Sequence, residues 1–351
     1  MIPEGQLRIR LDWDGSVIHA VTIESRRLAD IARLTRGKAP DQTALLIPLL
    51  FSLCGKAQGS AARLALDAAQ GKTAIATAEE CQVLAEAFQE SAWRLLIDLP
   101  QRFGFPANLP ALAELRRQCA ALQPAAALAD GLEASLEQHL LGVPCCEWRE
   151  FATREEWLSR ADTPLAAVFR RLREDEGAWG SSEIRGLPEF DASRIVEAAL
   201  PALLDDPDFA QRPQWQGQPA ETGPLARRGG ASNRVVDRLG ARLDELVWLA
   251  DALRRSDTLS SGWLKQAQVG ENAGLAWLQT ARGLLIHYVR LENGTVVDYR
   301  IVAPTEWNFH PQGAYVRGLT GQPAGSVEQA RARAELLLLA LDPCVDAVVS
   351  V

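Results

Sequence analysis

A strand–turn–strand pattern stands near each end of the chain, and most of what lies between is written in helix-forming residues. At the N-terminal end Leu7-Arg-Ile-Arg-Leu-Asp-Trp alternates with period two, Asp14-Gly15 offers a turn, and an extended pattern resumes from Val17 to Ile23. Far along the chain Leu284 to Leu291, Asn293-Gly294 and Thr295 to Val302 repeat the arrangement. A lone two-stranded hairpin is marginal in water, so these two are expected to join in one small antiparallel sheet that brings the N-terminus against the last third of the chain. The fold class is therefore α+β and predominantly helical.

The helical texture rests on apolar residues at three- and four-residue spacing in Thr43 to Leu53, Ser60 to Ala69, Thr77 to Leu99, Leu109 to Leu122 and Ala125 to Leu140. From about Gly177 to Gly230 six prolines and several glycines break it, except around Ala192 to Leu204. Val235 to Leu253 is again helical, and so is Val327 to Leu341, which runs straight into Asp342-Pro343-Cys344. At 351 residues the chain is long enough for about two domains or for one large helical body, and either can bury a substantial core.

With 37 Lys and Arg against 45 Asp and Glu the formal charge is −8. That balance lacks the positive field which nucleic acid or anionic lipid requires, so neither is an expected partner. The longest nearly apolar stretch, Ala44 to Cys54, is far short of the ~20 residues that span a bilayer, so no membrane insertion is expected. The first residues show no basic region followed by an apolar run, Arg26-Arg27 reads as a surface pair, and a cytoplasmic location follows as the expectation.

Six cysteines are too sparse for a disulfide scaffold, so each is a buried thiol or a metal ligand. Cys81 and Cys119 lie in helical stretches and read as small hydrophobes, while Cys145-Cys146 are adjacent, which is not a chelating spacing. Cys54 precedes Gly55 at a junction of two apolar segments, and Cys344 follows a helix, Asp342 and Pro343. Both stand where a fixed backbone can present a thiolate. The four histidines form no zinc-protease or triad pattern, and Arg228-Gly-Gly-Ala-Ser lacks the lysine and preceding strand of a phosphate loop.

Six segments, in order, resemble the signature regions of the large, catalytic subunit of NiFe hydrogenases. Glu4-Gly5-Gln6-Leu7-Arg8-Ile9 resembles the family's E-G-H-L-R-I, and Leu53-Cys54-Gly55-Lys56-Ala57 its first nickel motif, R-x-C-G-x-C. Gly223-Pro224-Leu225-Ala226-Arg227 matches G-P-L-A-R, and Arg282 to Tyr288 resembles P-R-G-A-L-G-H-W. Pro304-Thr305-Glu306-Trp307-Asn308 resembles P-T-T-W-N, and Asp342 to Ala347 the closing D-P-C-x-x-C. The resemblance covers residues 1–70 and 223–351, leaves 71–222 unmatched, and implies a single large-subunit-like domain.

The departures from the motifs bear on function. Each nickel motif of the catalytic family has two cysteines, and here Ala57 and Ala347 replace the second of each, which in the family bridges nickel to iron. The histidine after the first motif becomes Ala61, and the final histidine becomes Ser350. Cys54 and Cys344 remain as the metal-ligand candidates. The resemblance also maps the surroundings of the family's iron onto Arg282, Pro304 and Thr305, which would face cyanide, and onto Leu285, which would contact carbon monoxide. Fe2+ with two cyanides and two thiolates is formally a dianion, and a guanidinium and a hydroxyl suit cyanide nitrogens. Without the family mapping, Arg282 reads as a salt-bridge residue, Thr305 as a strand residue and Trp307 as core.

A short large-subunit relative with one cysteine left per motif resembles the hydrogenase expression/formation proteins of the HupK/HoxV type. That resemblance implies a non-catalytic maturation scaffold holding an Fe(CN)2(CO) unit transiently, without nickel. It implies as partners the hydrogenase large-subunit precursor and the Hyp-type maturation proteins. The alternative is a metal-free large-subunit mimic that chaperones the maturation complex, and a true hydrogenase is the third. Arg282→Leu is expected to empty the carrier site while folding survives.

Overall fold

The computed structural model describes residues 5–27, 31–51, 53–121, 123–174, 179–230, 232–256 and 258–351. Glu4 of the first motif, Gly177 and the side chains of the Arg26-Arg27 pair lie outside the described residues. Among the described residues there are seven strands: β1 Gly5–Trp13, β2 Ile18–Arg27, β3 Leu264–Gly270, β4 Ala273–Thr280, β5 Gly283–Glu292, β6 Thr295–Val302 and β7 Asp346–Ser350. Five helices carry the site: α1 Gly55–Ala69, α2 Thr77–Trp93, α3 Val235–Arg255, α4 Pro304–Asn308 and α5 Val327–Leu341. Among the described residues no helix is long and apolar enough to cross a membrane.

Both hairpins form, but they do not share a sheet. β1 and β2 pair antiparallel, and β7 adds to β1 in parallel, with Leu7 opposite Ala347 and Ile9 opposite Val349. The ends of the chain thus meet through its last strand rather than through the second hairpin. That hairpin, β5–β6, belongs to a four-stranded antiparallel sheet in the order β3-β4-β5-β6. Its turn is the one the dipeptide predicts, with Asn293 and Gly294 both at positive φ.

Neither β3 nor β4 is read from the sequence, and β4 escapes its pattern because the sheet is covered on both faces there. Ala276, Leu278, Leu285 and Val289 pack into the main helical core. Leu275, Trp277, Leu284 and Ile286 pack against Leu187, Phe190, Ile195 and Leu203 of the proline-rich region. A strand buried on both faces does not alternate, and Ala273-Gly-Leu-Ala-Trp-Leu-Gln reads as readily as helix. The proline-rich region is therefore the cover of the second sheet, and it includes the expected helical stretch at Ala192–Asp205.

α1 crosses the inner face of β4 so closely that Gly274 has no space for a side chain. A Cβ there would lie 2.0 Å from Ala65 O and 2.4 Å from Ala69 N, both backbone atoms of α1. Gly274→Ala must push the Cys54-bearing helix off the sheet. We expect a cost at or above the top of the ~1–3 kcal/mol range typical of overpacking, read as a lower denaturation midpoint.

α2 does not stop at Trp93. It continues through a π-turn, Arg94–Asp98, into Leu99–Arg102. Glu86, Glu90 and Arg94 follow one another at four-residue spacing, so a single stripe of the helix carries all three toward the same place.

Candidate metal-carrier site

Cys54 is the residue from which α1 starts, and its carbonyl accepts the Gln58 amide at 2.9 Å. The next two amides of the new helix, Lys56 N and Ala57 N, donate to the two carboxylate oxygens of Glu86 at 2.8 and 2.9 Å. An acidic side chain from α2 thus satisfies the helix N-terminus that presents the thiol. Burial pushes the Glu86 carboxyl up to about 7, against the pull of those two amides.

Cys344 is presented from the other end of the chain. α5 ends on Asp342, whose left-handed φ of 50° turns the backbone so that Pro343 and Cys344 leave the helix axis. The Asp342 carboxylate is buried and takes three guanidinium groups: Arg94 Nε at 2.7 Å, Arg242 Nη1 at 3.2 Å and Arg282 Nε at 3.5 Å. Burial alone would raise its pKa, but Arg282, Arg94 and Arg242 outweigh that and hold it at about 2. Thr305 Oγ1 accepts the Cys344 backbone N–H at 3.1 Å and lies 3.1 Å from its Sγ.

Arg282 lies within electrostatic reach of both thiols. It is buried, its Nη2 donates to Glu90 Oε2 at 3.2 Å, and Cys344 and Cys54 both act on it electrostatically. Burial and the neighbouring Cys344 push the Cys54 thiol up, while Arg282 pulls it down. The sequence therefore places its two metal-ligand candidates and its charge-compensating candidate in one buried neighbourhood. Leu285 is buried on the same face of β5 as His287 and Val289, toward the helical core. Pro304 and Thr305 are buried in α4, so Thr305 is a helix residue and not a strand residue.

The remaining motifs are the joinery of this neighbourhood. Thr222 N donates to Asn308 Oδ1 and Thr222 Oγ1 accepts Leu284 N, both at 2.9 Å, which ties G-P-L-A-R, R-G-L-L and P-T-E-W-N together. Gly283, at φ +130°, passes so close to Thr222 that a Cβ would sit 2.4 Å from its methyl. Arg227 does not face the thiols: it clasps Glu245 with two bonds and donates to Gln279 Oε1 and Thr280 O, fixing the turn that launches Arg282.

Several participants carry no motif. Arg238, Arg242 and Glu245 are buried charges on one face of α3, pairing with Glu221, Asp342 and Arg227. Their signal in the sequence is three charges at helical spacing on the face where a helix places its core residues. Glu86, Glu90, Gln58 and Tyr299 had no signal of their own. A separate group, Glu133, Glu137 and Cys145, lies within metal-ligand reach. There Glu133 already pairs with Arg149 and Arg254, and Glu137 accepts the Cys145 N–H. Cys145 is buried and Cys146 exposed, as the start of a short helix, while Cys81 and Cys119 are half-buried.

Beside Cys54, Gln58 Nε2 lies 3.8 Å from Sγ and Gln58 Oε1 lies 2.9 Å from His287 Nε2. His287 Nδ1 lies 2.8 Å from the Tyr299 hydroxyl. Burial lowers the His287 pKa to about 3. The unfolded imidazole takes a proton near its ordinary value of 6.5 that the folded one refuses until about 3, so this group makes the fold less stable as pH falls through that window. Glu86 runs the other way: its folded value of about 7 exceeds the ordinary 4.5, so its contribution is full below 4.5 and is lost as pH rises through 7. Between pH 7 and pH 5 each changes stability by about 2 kcal/mol with opposite sign. Glu86→Gln is expected to uncover the histidine, making the loss of stability on acidification about 2 kcal/mol larger than in the unaltered chain, read by urea unfolding at the two pH values.

The two alanines at the second motif positions have settled structural surroundings. Ala57 is buried in α1 with its N–H on Glu86, and Ala347 is half-buried in β7 opposite Leu7. Ala61 is buried, and Ser350 Oγ donates to Ile9 O at 3.2 Å. A cleft of about 280 Å³ opens behind Asp342, lined by Arg94, Arg102, Glu335, Pro343 and Ala347.

Residues 228–347 match the family model described as nickel-dependent hydrogenase. The hydrogenase expression/formation protein HoxV of Cupriavidus necator is 32% identical, over 96% of this chain and 94% of its own length. The hydrogenase expression/formation protein HupK of Azotobacter vinelandii is 34% identical, over 97% of both. Among solved structures, the reduced Ni-Fe-Se hydrogenase of Desulfomicrobium baculatum superposes with a TM-score of 0.65 over 95% of each chain at 13% identity, a likeness of fold.

Proposed function

This chain belongs to the hydrogenase expression/formation proteins of the HupK/HoxV type, and from that premise we propose that it is a non-catalytic maturation scaffold which carries an Fe(CN)2(CO) unit to a NiFe hydrogenase large subunit. The observation that carries this reading is the buried neighbourhood of Cys54, Cys344 and Arg282, assembled from opposite ends of the chain. Two thiols are the soft donors such an iron takes. The Arg282 guanidinium and the Thr305 hydroxyl supply the donors that cyanide nitrogens accept. Among the described residues Arg282 Nε has an ion-pair neighbour in Asp342 but no hydrogen-bond partner, which leaves a donor for the cargo.

With alanine at positions 57 and 347 the site offers two thiolates, too few to bridge a second metal, and nickel is not part of the proposal. The same shortage suits a carrier, whose cargo must leave. In this reading Cys54 and Cys344 hold the iron, Arg282 offsets the buried negative charge, and Leu285, Pro304 and the surrounding core keep water out. The precursor of the large subunit receives the unit, and Hyp-type maturation proteins supply it. A metal-free mimic would share the overall fold, yet it has no need of a buried thiol pair beside a buried guanidinium.

The test is infrared spectroscopy of the protein purified from cells that make the maturation proteins. Cyanide and carbonyl bands are expected, and they should vanish in Cys54→Ser. Protein that carries no such bands in any preparation would favour the mimic.

A further inference from the structure

Resting on the carrier reading, we propose that Gln58 is a positioning residue for Cys54, aimed by His287 and Tyr299 so that an amide N–H always faces the Cys54 sulfur. The three side chains are buried, and each link has one consistent hydrogen-bond direction. A neutral imidazole has one N–H and one lone pair. Gln58 reaches Sγ with Nε2 and His287 with Oε1, so His287 Nε2 must be the donor and Nδ1 the acceptor. Tyr299 then donates its hydroxyl proton to Nδ1. With the amide turned this way every link is satisfied: the tyrosine donates to the imidazole, the imidazole to the amide oxygen, and the amide to the sulfur.

A thiolate that accepts an N–H shares its charge and gives less electron density to the iron, as outer hydrogen bonds do at other metal–thiolate sites. Without Tyr299 the Nδ1 lone pair loses its donor, and the imidazole takes the other tautomer more readily. His287 Nε2 then seeks a donor, Gln58 turns over, and a carbonyl oxygen faces the sulfur. The chain thus explains the histidine of the R-G-L-L-I-H segment, whose ring meets α1 rather than either metal-ligand candidate.

Gln58→Glu keeps the shape and removes the donor, and Tyr299→Phe acts two residues away from the sulfur. Both are expected to shift the carbonyl band of the loaded protein to lower frequency, because a more electron-rich iron donates back into the CO bond. Gln58→Glu is also expected to lower the iron retained after gel filtration by about 10–100-fold, the usual effect of losing an outer-shell partner. A merely structural role for Tyr299 would leave the band where it is while lowering the denaturation midpoint. Bands absent from the unaltered protein overturn the carrier reading and this inference with it. Bands present there and unchanged in both variants overturn the inference alone.

Discussion

Replacing Asp342 by alanine is expected to cost the fold about 3–5 kcal/mol, the penalty for breaking a buried ion pair and leaving its partners charged. Three guanidinium groups converge on this carboxylate, and two of them, Arg242 and Arg282, are themselves buried. Arg242 has the Ser91 hydroxyl as a further contact at 3.4 Å, a poor substitute for a carboxylate. Chemical denaturation should show a lower midpoint with an unchanged slope. Asp98, also paired with Arg94 but partly exposed, is the control: Asp98→Ala should cost less than about 1 kcal/mol. An Asp342→Ala protein as stable as the unaltered chain would contradict this account of the site's frame.

The same frame revises what Arg282→Leu would do. The guanidinium is an ion-pair partner of both Asp342 and Glu90, so its loss strands two buried carboxylates and destabilises the protein besides emptying the site. An unfolded Arg282→Leu protein therefore says nothing about iron. Arg282→Lys, which keeps a charge but loses the planar fork, is the more informative variant, expected to fold and to load poorly.

How far the site was readable follows from where its constraints lie. Cys54, Arg282, Thr305 and Cys344 were legible because each sits inside a short motif whose backbone geometry is local: a helix start, a tight strand entry, a short helix, a helix exit. The strand pairing was not. Ala273 to Thr280 lacks β-branched residues apart from Thr280 and is buried on both faces, so only tertiary packing makes it a strand. The joining of β7 to β1 is likewise a long-range event, since Asp346 to Ser350 is short and does not reveal its partner. Arg238, Arg242 and Glu245 broke the apolar pattern of α3, and a buried charge announces an unseen partner without naming it. The order of the motifs along the chain implied that they meet, but two of the carboxylates that hold them, Glu86 and Glu90, come from a helix whose sequence reads as ordinary.

The second large effect is expected at the thiols. Cys54→Ser and Cys344→Ser replace a soft donor with a hard one of nearly the same size, so the fold should change little while iron retention falls by more than the ~10–100-fold that an outer-shell change costs. The two variants should be equally severe if both sulfurs bind at once. Cys81→Ser and Cys119→Ser, whose half-buried thiols meet the Ser256 hydroxyl and the Ala85 carbonyl, should load normally.

The most direct measurement is an infrared spectrum with metal analysis and a hydrogen-uptake assay on one preparation, purified without oxygen from cells that make the maturation proteins. The account predicts two cyanide bands and one carbonyl band, iron in stoichiometric amount, no nickel and no hydrogen turnover. Stoichiometric nickel accompanied by hydrogen uptake, or a protein that never carries cyanide and carbonyl bands, would contradict it.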